Sequence, residues 1–85
     1  MTIDAALIKE QGVTFAVVVV KPHVLNSPDR TRLAQRFSRY WDGVPVVFMA
    51  QNGRGIPTYL GRPDLVDFLA SIPLDVLPWR RWSVH

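Results

Sequence analysis

The chain has 85 residues, of which 48% are hydrophobic and 20% are charged, and its formal net charge is +3. This size and composition predict one globular domain over residues 1–85 with a single hydrophobic core, and they exclude a disordered chain. Because the chain contains no cysteine, disulfides, thiol nucleophiles, thiolate metal sites and dithiol redox pairs are excluded. The same absence favours a cytoplasmic location.

The first predicted element is a short helix over residues 3–11. Its apolar residues lie on one side of such a helix: Ile3, Ala6, Leu7 and Ile8. Gly12 follows, and a glycine in the left-handed conformation commonly ends a helix. We therefore expect the domain to begin with an amphipathic helix.

The most apolar run of the chain, VTFAVVVV, covers residues 13–20. It is rich in β-branched residues and lacks polar alternation, which is typical of a strand buried on both faces. It is too short to cross a bilayer, which takes about 20 residues as a helix. We predict a core strand that ends at Lys21-Pro22, because proline offers no amide to a strand ladder.

A second helix is predicted from about Ser27 to Tyr40, since Ser27-Pro28-Asp29 combines a capping side chain, an N-terminal proline and an acid. Its buried stripe has apolar residues spaced four apart: Leu33, Phe37 and Trp41. Arginines follow a helical spacing on the opposite side: Arg32, Arg36 and Arg39. Gly43 is expected to end this helix.

The remaining elements are two strands, a helix and a tail. Residues 44–50 form an apolar strand, the Asn52-Gly53 pair predicts a hairpin turn, and a third strand follows over about residues 58–60. Residues 63–72 carry the apolar spacing of an amphipathic helix. The tail over residues 73–85 is rich in tryptophan and arginine.

The order α-β-α-β-β-α predicts a small α/β domain with a three-stranded mixed sheet and an aromatic-basic C-terminal tail. The β-α-β unit makes the first two strands parallel, and the hairpin adds the third strand antiparallel. In that arrangement the apolar strand 13–20 lies at an edge, where it would template pairing with another chain. Either the tail or a second copy of the chain is expected to cover it.

The segment GVPVVFMAQNGRGIPTYLGRPDLVDFLASI, residues 43–72, resembles the C-terminal half of thioredoxin-fold proteins. In this resemblance Val44-Pro45 matches the family's cis proline, which helps to bind the substrate peptide. Asn52-Gly53 matches its hairpin turn, and Pro63 to Ser71 match its last helix. Because the family's first β-α-β unit and its Cys-x-x-Cys pair are missing, the resemblance implies a redox-inactive thioredoxin-like domain.

Few side chains form a pattern that carries chemistry. His23, Ser27 and Asp29 lie close in sequence, but Ser27 is expected to cap a helix, so no catalytic residue is assigned. Two histidines and scattered acids predict no metal site and no cofactor. Glycines on both sides of an arginine could bind an anion at the hairpin tip: Gly53, Arg54 and Gly55.

The sequence favours a non-enzymatic protein–protein interaction or regulatory module, with a homodimer or another protein as its partner and no membrane partner. The predicted interface consists of the strand 13–20 edge and the tail tryptophans: Val13, Phe15, Val17, Val19, Trp79 and Trp82. The alternative is a small basic nucleic-acid-binding protein that uses arginines of the second helix and the tail: Arg32, Arg36, Arg39, Arg80 and Arg81.

Overall fold

The computed structural model describes residues 1–10 and 12–84, which form one mixed sheet with a helix on each face. The strands are β1 (Thr2–Glu10), β2 (Val13–Val19), β3 (Val46–Gln51), β4 (Pro57–Leu60) and β5 (Trp79–Ser83). The helices are α1 (Arg30–Tyr40) and α2 (Pro63–Ala70), and 3₁₀ turns lie at Pro22–Asn26 and Leu74–Val76. An α/β domain is confirmed, but the predicted three-stranded sheet is wrong.

The sheet has five strands in the order β4-β3-β2-β1-β5. β2 and β3 are parallel and are joined through α1, as expected for a β-α-β unit. β3 and β4 form the predicted antiparallel hairpin. The two further strands, β1 and β5, both come from segments for which no strand was predicted.

β1 replaces the helix predicted over residues 3–11. It pairs antiparallel with β2 from Ala5↔Val18 to Glu10↔Val13. Gly12 has a φ of 79°, and this left-handed conformation suits a tight hairpin turn as well as a helix end. Gly12 is therefore compatible with a helix or a strand over the preceding residues. A strand forms because β2 and β5 both pair with it.

β5 replaces the irregular tail and pairs antiparallel with β1 from Thr2↔Ser83 to Ala6↔Trp79. As a result β2 lies in the middle of the sheet, bonded to β1 on one side and to β3 on the other. The exposed edge predicted for strand 13–20 does not exist. The chain covers this edge with its own N-terminal strand.

Each face of the sheet carries its own apolar layer. The α1 face buries Ala5, Ala16, Val18, Phe37, Trp41, Phe48 and Val84. The α2 face buries Ala6, Phe15, Val17, Val47, Met49, Leu65, Leu69 and Leu77. Because β2 contributes to both layers, it needs apolar residues at every inner position, which explains its lack of polar alternation. No helix among the described residues has the length and hydropathy needed to span a membrane.

α1 crosses its face of the sheet diagonally. Near its N-terminus, Arg30 and Ala34 line a groove with Phe48 and Leu60 of β3 and β4. At its C-terminal end, the ring of Tyr40 lies 6.4 Å from that of Trp82 in β5. The helix ends where predicted, because the Gly43 amide donates to the Ser38 carbonyl at 2.8 Å with a φ of 89°.

Candidate interaction surface

β5 is an edge strand whose outer backbone groups have no strand partner in the described chain. Met1 and Val84 exchange both backbone hydrogen bonds, at 3.1 and 2.7 Å. Bonded pairs alternate along an antiparallel ladder, so Trp82 and Arg80 bond to β1. Arg81 and Ser83 then point their N–H and C=O groups away from the sheet.

An aromatic cluster of Tyr40, Trp41 and Trp82 lies beside this edge on the α1 face. The ring centroids of Trp41 and Trp82 are 5.5 Å apart, and those of Tyr40 and Trp41 are 5.2 Å apart, both edge to face. Such pairs contribute about 0.5–1.5 kcal/mol beyond the area they bury. The Trp82 indole N–H donates to the Ala5 carbonyl at 3.1 Å, which fixes the ring on the sheet.

Trp41 is almost fully buried in this cluster, yet its indole N–H has no hydrogen-bond partner among the described residues. An unpaired buried donor costs about 1–3 kcal/mol. Tyr40 covers Trp41 on the outer side and is itself 37% exposed. The cluster therefore extends from the core to an accessible aromatic ring at the edge of the sheet.

Arg80 and Arg81 point to opposite faces of the sheet. The Arg80 guanidinium lies 5.1 Å from the centre of the Trp82 ring on the α1 face. Arg81 lies on the other face, where its Nε is 3.4 Å from a carboxylate oxygen of Asp4. The predicted set of five nucleic-acid-binding arginines is therefore divided between the two faces.

The remaining three arginines form a row on the outer side of α1, as the helical spacing predicted. Arg32, Arg36 and Arg39 are all exposed. Asp29 approaches Arg32 at 3.9 Å, with both side chains largely in solvent, so this pair is weak. We call these three residues the arginine row.

Arg62 differs from the arginine row because a carboxylate already holds it. Its guanidinium makes two hydrogen bonds to Asp64, of 3.0 and 2.7 Å. This hydrogen-bonded contact lowers the pKa of Asp64 and raises that of Arg62. Arg62 and Arg81 thus serve local ion pairs, while the arginine row keeps its charge available.

The four interface residues predicted in β2 lie inside the domain. Phe15 and Val17 are fully buried beneath α2, and Val13 and Val19 are half-buried against the same layer. They cannot meet a partner without unfolding of the α2 face. Of the predicted interface, Trp79 and Trp82 are the residues that lie at an edge of the sheet, and both are half-buried.

At the hairpin tip, where an anion site was predicted at Gly53, Arg54 and Gly55, several backbone amides make hydrogen bonds within the turn. The amides of Arg54 and Ile56 donate to the Asn52 side-chain oxygen at 2.8 and 3.1 Å. The Gly55 amide donates to the Asn52 carbonyl at 2.9 Å. Since Asn52 already accepts these donors, they hold the turn together and are not directed at a ligand.

The described residues show no arrangement for catalysis near His23. It lies in the exposed 3₁₀ turn at Pro22–Asn26, and Ser27 accepts a hydrogen bond from the Asp29 amide at 3.2 Å. Across the described ranges, no three histidine or acidic side chains are grouped so that they could hold a metal ion. His85 lies outside the described residues.

A shallow depression lies on the α2 face at the carboxyl ends of β2 and β3, where ligands bind in many open α/β sheets. Asp4, Asp75, Gln51 and Trp79 line it together with apolar side chains. The Trp79 indole N–H already donates to the Leu74 carbonyl at 2.8 Å. Among the described lining residues there is no nucleophile with an adjacent base.

The free outer edge of β5 and the role of Tyr40 were not predicted from local sequence patterns. A usable signal was present after Pro78, where Trp79-Arg80-Arg81-Trp82 places strand-forming aromatic residues in a short segment. This segment forms a strand only because β1 is available to pair with it. The role of Tyr40 depends on where α1 ends relative to β5, which no local pattern encodes.

Comparison of the chain with models of known protein families, with curated proteins and with solved structures finds no match. The resemblance of residues 43–72 to thioredoxin-fold proteins therefore stays a prediction. In this segment the Val44–Pro45 peptide bond is trans. Function has to be inferred from the geometry of the β5 edge and the α1 face.

Proposed function

We propose that the chain is a non-enzymatic interaction module that forms a homodimer in the cytoplasm by antiparallel pairing of two β5 strands. The observation that carries the proposal is the free outer edge of β5, whose Arg81 and Ser83 backbone groups point away from β1. Unpaired strand edges readily pair with another strand. Self-pairing joins the two sheets into one continuous sheet across a two-fold axis.

Charge selects the register of this pairing. If Arg81 faced the same residue of the partner, like charges would lie directly opposite, which is destabilising. If the axis passes between the two Trp82 residues, Arg81 instead faces the partner's Ser83. These two residues then exchange both backbone hydrogen bonds, using the groups that β1 leaves free.

The same register brings the two aromatic clusters together. Trp82 faces the partner's Trp82 as a pair without mutual backbone bonds, in which Cα atoms approach to about 4.5 Å. Tyr40, with 37% of its surface exposed, lies next to Trp82 and would lose part of that exposure. Aromatic side chains are the residues most enriched at the centres of protein interfaces.

Ser83→Pro is the variant that tests this pairing. It removes the outward N–H of Ser83 and leaves the bonds between β1 and β5 intact, because Trp82 and Arg80 make those bonds. Proline is tolerated on edge strands for this reason. Ser83→Ala is the matched control, since it removes the side chain and keeps the N–H.

Sedimentation velocity from micromolar to millimolar concentration should show a dimer for the native chain and for Ser83→Ala. Ser83→Pro should sediment as a monomer with an unchanged circular dichroism spectrum. A native chain that stays monomeric throughout the range would overturn the proposal, as would a dimeric Ser83→Pro.

If Ser83→Pro fails to fold, hydrogen exchange of the native chain decides the question. Exchange of the Arg81 and Ser83 amides should slow as the protein concentration rises, because dimerisation buries these amides in a ladder. Exchange rates that do not depend on concentration would contradict pairing through β5.

A further inference from the structure

We infer that the arginine row on α1, extended by Arg80, binds the phosphate backbone of a double-stranded nucleic acid without reading its sequence. Arg32, Arg36 and Arg39 lie on the outer side of α1. Arg80 lies on the same face beyond the helix end, over Trp82. Arginine suits this role because its planar guanidinium binds phosphate oxygens in a bidentate manner.

The spacing of the arginine row fits a phosphate backbone. At a rise of 1.5 Å per residue, Arg32 and Arg39 are separated by about 10.5 Å along α1. One strand of a duplex carries a phosphate about every 3.4 Å along its axis. The row therefore spans about three phosphate-to-phosphate intervals of one strand.

No acidic residue lies within α1 to neutralise this charge. The nearest carboxylate is that of Asp29 before the helix, which is largely in solvent and 3.9 Å from Arg32. α2, on the opposite face, shows the reverse pattern, with Asp64 and Asp67 and no basic residue. α1 and α2 thus carry opposite charge on opposite faces of the sheet, which orients a polyanion towards α1.

The side chains around the arginine row favour a duplex over a membrane or a single strand. The exposed neighbours Thr31 and Gln35 are polar, so α1 has no apolar outer face to insert into a bilayer. Single strands are bound by stacking on free aromatic rings. Here the indoles of Trp79 and Trp82 are held by backbone carbonyls. The partly exposed ring of Tyr40 packs edge to face against Trp41 and Trp82.

One extension rests on the proposed dimer. Antiparallel pairing of β5 places both α1 helices on the same face of the joined sheet, with their C-terminal ends towards the two-fold axis because Tyr40 lies against Trp82. Two arginine rows would then contact one duplex. A monomer carries a single row and should bind more weakly, but with the same dependence on that row.

The test measures binding of a fluorescent duplex DNA of arbitrary sequence by anisotropy at several salt concentrations. The variant carries Arg32→Gln, Arg36→Gln and Arg39→Gln. Its charge-matched control carries Lys21→Gln, Arg54→Gln and Arg62→Gln, at exposed positions outside both α1 and β5. Each phosphate contact contributes about −0.9 to the slope of log K against log salt.

We expect the row variant to lose at least about tenfold in affinity and its slope to become shallower by about 2.7 per protomer, corresponding to three lost contacts. The control should keep nearly the affinity and the salt slope of the native chain. Equal losses in the two variants would overturn the inference, because total charge would then explain the binding. Tighter binding to an acidic peptide, to anionic vesicles or to single-stranded DNA would overturn it as well.

The Ser83→Pro monomer separates this inference from the proposed dimer. If it binds duplex and its binding depends on the arginine row, the inference holds even where dimerisation has failed. If the native chain is a dimer but does not bind duplex at low salt, dimerisation stands and the inference is overturned.

Discussion

The two edges of the sheet, β4 and β5, present their outer backbones to solvent in different ways. At the start of the β3–β4 hairpin the Asn52 amide donates to the Ile56 carbonyl at 3.0 Å. Because hydrogen-bonded pairs alternate along an antiparallel ladder, the backbone groups of Pro57 and Tyr59 face away from β3. Pro57 has no N–H to offer. In β5 the outward residues are Arg81 and Ser83, and both have an N–H.

The β4 edge therefore offers fewer free N–H groups to another strand than the β5 edge does. A short strand that begins with proline is a common protection against edge-to-edge association. β5 lacks this protection and has an aromatic cluster beside it. Its arginines project from the two faces of the sheet, so they leave the backbone edge itself open.

The largest effect should come from removing the aromatic ring at the β5 edge. Trp82→Ala deletes a half-buried ring that contacts Tyr40 and Trp41, so we expect a loss of about 2–4 kcal/mol in the free energy of unfolding. Urea unfolding in the Ser83→Pro background measures this without a contribution from dimerisation.

Thr58→Ala on β4 is the matched control for that substitution. Thr58 is exposed, and its loss should change the free energy of unfolding by no more than about 0.5 kcal/mol. If the two substitutions had similar effects, the β5 edge would not be the better packed of the two.

An intermediate effect is expected at the end of β4, where Gly61 approaches β3 closely. A Cβ at this position would lie 2.9 Å from Val47 Cγ2 and 3.1 Å from Val47 Cα. Gly61→Ala should therefore cost about 1–3 kcal/mol, as overpacking does elsewhere. Thermal or urea unfolding will measure it.

Gly53→Ala is the control for the Gly61 substitution, because a Cβ at Gly53 would meet no atom within 4 Å. It should leave stability almost unchanged. If Gly61→Ala were equally harmless, the close packing of β3 against the end of β4 would be contradicted.

The smallest effect is expected at Tyr59 in β4. Its hydroxyl is buried without a hydrogen-bond partner among the described residues, so Tyr59→Phe should be neutral or stabilise by up to about 1 kcal/mol. A substantial loss of stability in urea unfolding would show that the hydroxyl has a partner.

Burial also raises the pKa of Tyr59 above its usual value of 10.0. Above that pH the unfolded chain releases the tyrosine proton more readily than the folded chain, so stability should fall as the pH rises through the folded pKa. Tyr59→Phe should reduce this fall. If the stability of the native chain and of Tyr59→Phe depended equally on pH, a raised pKa of Tyr59 would be contradicted.

The elements that could be predicted are those whose signals are local. α1 has its apolar stripe at Leu33 and Phe37, and Gly43 ends it. The β3–β4 hairpin has its turn at Asn52-Gly53, although the loop uses Gly55 in the left-handed conformation with a φ of 77°. The arginine row was likewise placed correctly on the outer side of α1, because helical spacing alone determines it.

β1 and β5 could not be predicted in this way. Residues 3–11 contain alanine, leucine, lysine and glutamate, which favour a helix in isolation, and a strand forms there because β2 and β5 bond to both of its edges. Ala5 and Ala6 are fully buried in the two layers, which is compatible with either structure.

Local sequence patterns were sufficient to predict the α/β class, the parallel unit of β2 and β3, the hairpin, α1, α2 and the exposed arginines. Periodicity, turn chemistry and helix-ending residues act over a few positions and can be read directly. Long-range strand pairing produces the two additional strands, the central position of β2 and the free edge at β5. Strand pairing joins residues that are far apart in the chain, such as Thr2 and Ser83, and its free energy depends on which partner is available.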